Sequence, residues 1–143
     1  MMNIVDEYLK PGVNKGLFYG GTFQPPANDD IIEVYNPATA EVFTTVPCAN
    51  ESDVAWAVSA ARAGFDEWSQ LDPIDRARHL RRFADIIGEN IPKLALLETA
   101  VTGRSIREMR AQMARIPEWI EYFAGIAMGL EGESNVVNSG YVT

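Results

Sequence analysis

Few side chains in these 143 residues could do chemistry, and their spacing decides which. Cys48 is the single thiol and His79 the single imidazole. A thiol becomes a nucleophile when a cation or a helix start favours its thiolate. Cys48 follows Val46-Pro47 at an expected strand end with no motif around it, and reads as an inert, half-buried residue. One cysteine also excludes an internal disulfide framework and a CxxC metal knuckle, and one histidine leaves no pair for zinc. His79 sits among Arg76, Arg78, Arg81 and Arg82, which could form a phosphate patch. Asp75, Asp85 and Glu89 lie within a turn of those arginines, so a solvated face of ion pairs is expected, with His79 exposed on it. No GxGxxG or GxxxxG follows a strand pattern, as a dinucleotide cradle would need. The residues by themselves therefore assign no catalytic, cofactor-binding or metal position.

The elements that would position any site are easier to read. Ser105 to Glu131 organises the rest. Its apolar residues fall at Ile106, Met109, Met113, Ile116, Ile120, Phe123, Ala127 and Leu130, at alternating three and four. Ser105 and Glu108 form an S-x-x-E start, and Gly132 is the expected stop. Pro117 should kink this long helix near residues 113 to 117. Three helices are expected before it. Asn50 to Phe65 is capped by Asn50 with Asp53 at the third position, and carries Val54, Ala57, Val58, Ala61 and Phe65 on one face. Asp72 to Glu89 is capped by Asp72 with Pro73 in its first turn and lines Ala77, Leu80, Ala84 and Ile87. Pro92 to Thr102 presents Leu94, Leu97 and Val101 and stops at Gly103. Upstream, Phe18 to Phe23 and Ile31 to Val46 read as strands, the latter folded at Asn36-Pro37-Ala38-Thr39-Ala40-Glu41. The fold class is α/β: a lead-in over 1–17, a small antiparallel meander over 18–48, a helical part over 49–132, and a tail over 133–143. That tail ends in Tyr141-Val142-Thr143, a strand start expected to lack a partner within the chain.

Composition narrows the partners. Net charge is −8 with 47% hydrophobic and 22% charged residues, and no basic patch suits nucleic acid or an anionic membrane. No apolar run of membrane-spanning length and no signal-peptide pattern occur, so a cytoplasmic protein is expected.

Several stretches resemble the N-terminal portion of the aldehyde dehydrogenase superfamily. Val34-Tyr35-Asn36-Pro37-Ala38-Thr39-Ala40-Glu41-Val42 resembles its V-x-N-P-A-T-G-E-V hairpin. Asp53 to Trp68 resembles its first helix and the tryptophan after it, and Arg76 to Ile87 its R-A-x-x-L-x-x-x-A-D-x-I segment. Leu94 to Thr99 with Gly103-Arg104-Ser105 is similar to L-A-x-L-E-T…G-K-P, and Tyr122-Phe123-Ala124-Gly125 to Y-Y-A-G. No single motif is specific; their order is. Three positions depart from the pattern. Ala40 stands for glycine, which strains the turn if positive φ is required there. Val101 stands where many members carry an aspartate that helps hold a monovalent cation in some of them, and Ser105 replaces a proline.

The resemblance implies an NAD- or NADP-dependent oxidation of an aldehyde to a carboxylic acid, by a cysteine thiolate, an oxyanion hole and a glutamate-activated water. It also implies that these groups, with the pyrophosphate-binding glycines, lie beyond residue 143, so the cofactor-binding domain is incomplete, the chain binds no cofactor alone, and it is inactive alone. Its expected partners are the remainder of an aldehyde dehydrogenase or other subunits, in a homo-oligomer. The alternative is a non-catalytic interaction module that binds full-length subunits. The family's long helix lines the mouth of the substrate tunnel, and Gln112 and Arg115, facing away from the Met113–Ile116 stripe, are the candidates for that mouth.

Overall fold

A computed structural model describes residues 16–129 and the backbone of strands Val136–Asn138 and Tyr141–Val142. Residues 1–15 of the expected lead-in over 1–17 and the expected stop at Gly132 lie outside the described residues, and Leu17 belongs to the first strand.

The strands come in separate antiparallel pairs rather than one continuous meander. β1 (Leu17–Tyr19) and β2 (Thr22–Gln24) form a hairpin in the register Leu17↔Gln24, Phe18↔Phe23, Tyr19↔Thr22. The single strand expected over Phe18 to Phe23 is thus folded in half. Gly20 and Gly21 take φ of +61° and +80°, the handedness that a two-residue hairpin loop needs. Phe18 and Phe23 then face each other edge-on at 5.1 Å. β3 (Ile31–Tyr35) pairs with β4 (Val42–Pro47), with a bulge between Val34 and Tyr35. Their turn follows the sequence. Asn36 Oδ1 accepts the Ala38 N–H at 2.9 Å, and the Asn36 carbonyl accepts the Ala40 N–H at 2.8 Å. Ala40 sits at φ +60°, so the position does demand the left-handed backbone that glycine takes at low cost. β5 (Val136–Asn138) pairs with β6 (Tyr141–Val142), which corrects the expectation of an unpartnered strand start at Tyr141.

Four helices follow among the described residues. α1 (Glu51–Ser69) starts with a full capping box: Asn50 Oδ1 accepts from the Ser52 and Asp53 amides, and Asp53 Oδ2 accepts the Asn50 N–H at 2.9 Å. The other Asp53 oxygen accepts the Ala27 N–H at 3.0 Å, tying the Gln24–Asp30 loop to the helix start. Asp53 is α1's buried residue, whereas Val54, Val58 and Phe65 on its apolar stripe are at least half exposed.

α2 (Pro73–Thr102) is one helix where two were expected. Pro92 stays inside it. The proline ring crowds the Gly88 carbonyl four residues back and removes one backbone hydrogen bond. Asn90 Nδ2 donates to the Ile86 carbonyl at 2.8 Å just before it. Ala84 and Ala95 are buried on either side of the proline, so packing along the whole length outweighs the missing bond. Asp72 makes no side-chain cap; Asp75 instead takes Arg78 at 2.6 Å. The ion pairs seen on this face are Arg78–Asp75 and Arg81–Glu121, so Asp85 and Glu89 do not pair with the arginines as expected.

Gly103 ends α2 at φ +74°. The long helix after it is divided into α3 (Ile106–Met113) and α4 (Arg115–Met128), broken at Ala114, three residues before Pro117 and within the expected kink. The break shifts the stripe. Met109 is buried and Ile116 and Ile120 are half-buried as expected, but Ala124 is buried in place of Phe123, which is exposed. α2 lies against α3 and α4, with a core of Ala77, Ala84, Ala95, Met109 and Ala124. Leu94 and Leu97 are half-buried and Val101 exposed, so Ala95 rather than the leucine face is the innermost part of that segment.

Candidate functional site

The corner between α2 and α3 encloses an open cleft of about 430 Å³. Local sequence explains the corner. Gly103 must be glycine twice over: its φ is +74°, and a Cβ there would lie 3.0 Å from the Pro37 ring. Ser105 then restarts the helix, its Oγ accepting the Glu108 N–H at 3.3 Å. Glu108 does not complete the reciprocal box. Its carboxylate takes the Arg104 guanidinium instead.

Met109, Met113, Ile116 and Trp119 line one wall of the cleft, and Met109 forms its buried floor. Glu98, Arg104, Gln112 and Arg115 bring polar groups to it. Arg104 donates to Gln112 Oε1 at 3.1 Å as well as to Glu108, and Gln112 Nε2 donates to Glu108 Oε1 at 3.4 Å. Glu108 and Gln112 stand four apart on α3, the spacing that stacks side chains on one face, and Arg104 reaches them from just before the Ser105 cap. Arg115 is exposed and makes no hydrogen bond or ion pair among the described residues.

Gln112 and Arg115 therefore meet in one cleft. Arg104, Glu98 and Trp119 were not singled out by sequence. Trp119 was accessible to it, being one turn after Arg115; Glu98 was not, because it arrives across the Gly103 turn. The other chemically capable residues stand apart. Cys48 is half-buried, and its N–H donates to the Asp30 carbonyl at 2.8 Å in continuation of β4. His79 is exposed beside Trp68, with ring centroids 6.0 Å apart. Among the described residues no group of three or more His, Cys, Asp or Glu side chains is arranged to hold a metal, and no helix is long and apolar enough to cross a membrane.

The sequence profile of the aldehyde dehydrogenase family matches residues 23–143. The chain belongs to the aldehyde dehydrogenase family. A (Z)-2-((N-methylformamido)methylene)-5-hydroxybutyrolactone dehydrogenase of Acinetobacter baylyi is 37% identical over 118 residues, which are 81% of this chain and 24% of that protein. The crystal structure of an aldehyde dehydrogenase from Bacillus cereus superposes with a TM-score of 0.88 at 28% identity, over 99% of this chain and 29% of the other. Betaine aldehyde dehydrogenase of Staphylococcus aureus, solved in complex with NAD+, gives a TM-score of 0.79 at 34% identity, over 86% of this chain and 25% of the other. This chain thus spans about a quarter of the length of the relatives that it matches. Short antiparallel strands followed by helices match an N-terminal segment of the aldehyde dehydrogenase fold.

Proposed function

We propose that this chain is the N-terminal part of an NAD(P)-dependent aldehyde dehydrogenase that oxidises an aldehyde to a carboxylic acid, with the catalytic residues and most cofactor contacts supplied from outside it. The family match over residues 23–143, at about a quarter of the relatives' length, carries the reading. With it go an aldehyde substrate, assembly into an oligomer and a cytoplasmic setting. The complete enzyme would use NAD or NADP as hydride acceptor. The described residues do not fit that cofactor. A pyrophosphate cradle needs a glycine-rich turn from a strand into a helix. The strand-to-helix link here is Cys48-Ala49-Asn50, and the positive-φ glycines lie at Gly16, in the β1–β2 loop and at the α2 stop.

The open apolar stripe of α1 supports a neighbour for this chain. Val54, Val58 and Phe65 are exposed along one side of the helix, and Val58, Ala61, Arg62 and Phe65 line a shallow depression. The Gln112–Arg115 cleft is the segment that we read as the tunnel mouth.

Native mass spectrometry of the protein from its source tests the proposal. A co-purifying chain more than about twice this size, the scale set by the relatives' length, with aldehyde-dependent reduction of NAD or NADP, is expected. A sole component of 15.8 kDa without that activity overturns it in favour of a non-catalytic module that docks on full-length subunits.

A further inference from the structure

Helix α1 keeps one apolar face uncovered. Val54, Val58 and Phe65 are at least half exposed, and Val58, Ala61, Arg62 and Phe65 line an open depression of about 470 Å³. The contacts that fix α1 lie on another side of it, at Asp53 with Ala27 and at Ala60 beside Gly20. Two exposed charges flank the stripe. Glu51 and Arg62 are eleven residues apart, about three turns, which sets them on the same flank. Neither side chain has a hydrogen bond or ion pair among the described residues.

We infer that a second copy of this chain docks on α1, the two helices antiparallel about a two-fold axis beside residues 56 and 57. In that register Val54 of each copy enters the depression of the other between Val58 and Ala61, and Glu51 of each meets Arg62 of the other. One patch thus supplies knob and hole together with both signs of charge, as an isologous contact requires. An antiparallel two-fold brings the same flank of both helices together, so opposite charges placed symmetrically about the axis face each other. A parallel pairing would set Glu51 against Glu51 and Arg62 against Arg62. The span from Glu51 to Arg62 is short and buries less than the roughly 800 Å² per partner of a standard interface, so the dimer is weak and dissociates on dilution. Each copy carries a net charge of −8, and that longer-range repulsion is screened at ~0.15 M salt, where the Debye length is about 8 Å. The pairing needs only this chain and does not rest on the function proposed above.

Sedimentation equilibrium of the whole 143-residue chain tests it, and a dimer in exchange with monomer is expected. Val58→Glu, at a half-exposed position, should abolish the dimer. Arg62→Glu sets like charges together twice per dimer and should weaken it about ten-fold. Adding Glu51→Arg to Arg62→Glu restores opposite charges in reverse and should recover most of that loss. Arg82→Glu makes the same change of charge on an exposed part of α2 and should change nothing. All these positions are exposed, so the variants should fold; Val58→Gln is the second variant should Val58→Glu lose helical circular dichroism. A dimer that survives Val58→Glu overturns the inference, as does a double variant no tighter than Arg62→Glu, or equal weakening by Arg82→Glu. A chain that stays monomeric, its stripe covered only by a larger co-purifying chain, overturns it and leaves the proposed function standing. A dimer with no larger chain does the reverse.

Discussion

Helix α2 meets its partners through alanine; helix α1 is fixed by a carboxylate. The buried side chains between α2 and α3–α4 are Ala77, Ala84, Ala95, Ala124 and Met109. Small residues let helix axes approach closely, and long side chains such as Phe83, Phe123 and Trp119 are then pushed to the outside, where all three are exposed. On α1 the apolar stripe is bare, and the buried residue is Asp53, bonded to Asn50 and Ala27. The first region is held by packing that the chain supplies to itself. The second is held by a few directed bonds and keeps its apolar surface for something else. A sequence stripe says which face is apolar, and only the partner says whether that face is core.

The largest effect should come from Ala124→Leu. An isobutyl group in a site with no exposed surface forces α4 away from α2, at a cost of about 3 kcal/mol. Urea unfolding followed by helical circular dichroism would measure it. Amide exchange should rise in α2 and α4 while the first turn of α1 and the Ala27 amide stay as they were. Joint loss of both would mean that the two regions unfold as one unit, and the comparison would fail.

Asp53→Ala probes the other region. It leaves the Ala27 and Asn50 amides without their acceptor in a buried place, at a cost of about 2 kcal/mol. Exchange at Ala27, Asn50 and the first turn of α1 should accelerate, with α2 to α4 unaffected. Unchanged protection at Ala27 would show that the loop is held by something other than this carboxylate.

Much of this was legible in local sequence. The Asn50 cap, the Gly103 stop, the Ser105 start, the Asn36 turn and the break caused by Pro117 each depend on neighbours within a few residues, and each appears. Gly20-Gly21 was equally local and was overlooked because the aromatic residues around it read as one strand. Pro92 was misjudged for a different reason. Its cost is local, but the packing of Ala84 and Ala95 that overrides it comes from α3 and α4. The cleft divides the same way. Gln112 and Arg115 lie three residues apart on either side of the Ala114 break, a closeness that spacing reveals, whereas Glu98 reaches them across the Gly103 turn.

A smaller gain should come from Ala40→Gly. Alanine at φ +60° is strained, and glycine relieves that strain while adding freedom to the unfolded chain. A net stabilisation of roughly 0.5–1 kcal/mol is expected, read as a higher urea midpoint with the same slope. The gain should appear as slower exchange at the Asn36 and Ala40 amides, which close the turn. A destabilised variant would mean that the β3–β4 turn draws its order from the alanine methyl, and the strand region would then owe more to packing than the contrast with α2 allows.

The smallest effect lies on β3, where Glu33 and Tyr35 share a face. The Tyr35 hydroxyl donates to Glu33 Oε2 at 2.5 Å, and that hydrogen bond, then the carboxylate's charge, raises the phenol above its ordinary 10.0. The protonated phenol is the form that donates. Its contribution is therefore complete below pH 10.0 and is lost as pH rises through the raised folded value. Because the pair is solvent-exposed, the change should touch the β3–β4 turn and leave the helices alone. The absorbance of tyrosinate, taken as the difference from Tyr35→Phe, reads the titration directly. Glu33→Gln keeps an acceptor but removes the charge, and should bring Tyr35 back toward 10.0. A Tyr35 that already titrates at 10.0 beside an intact Glu33 would show that solvent breaks the pair, leaving the Asn36 turn and the strand pairing to hold this hairpin.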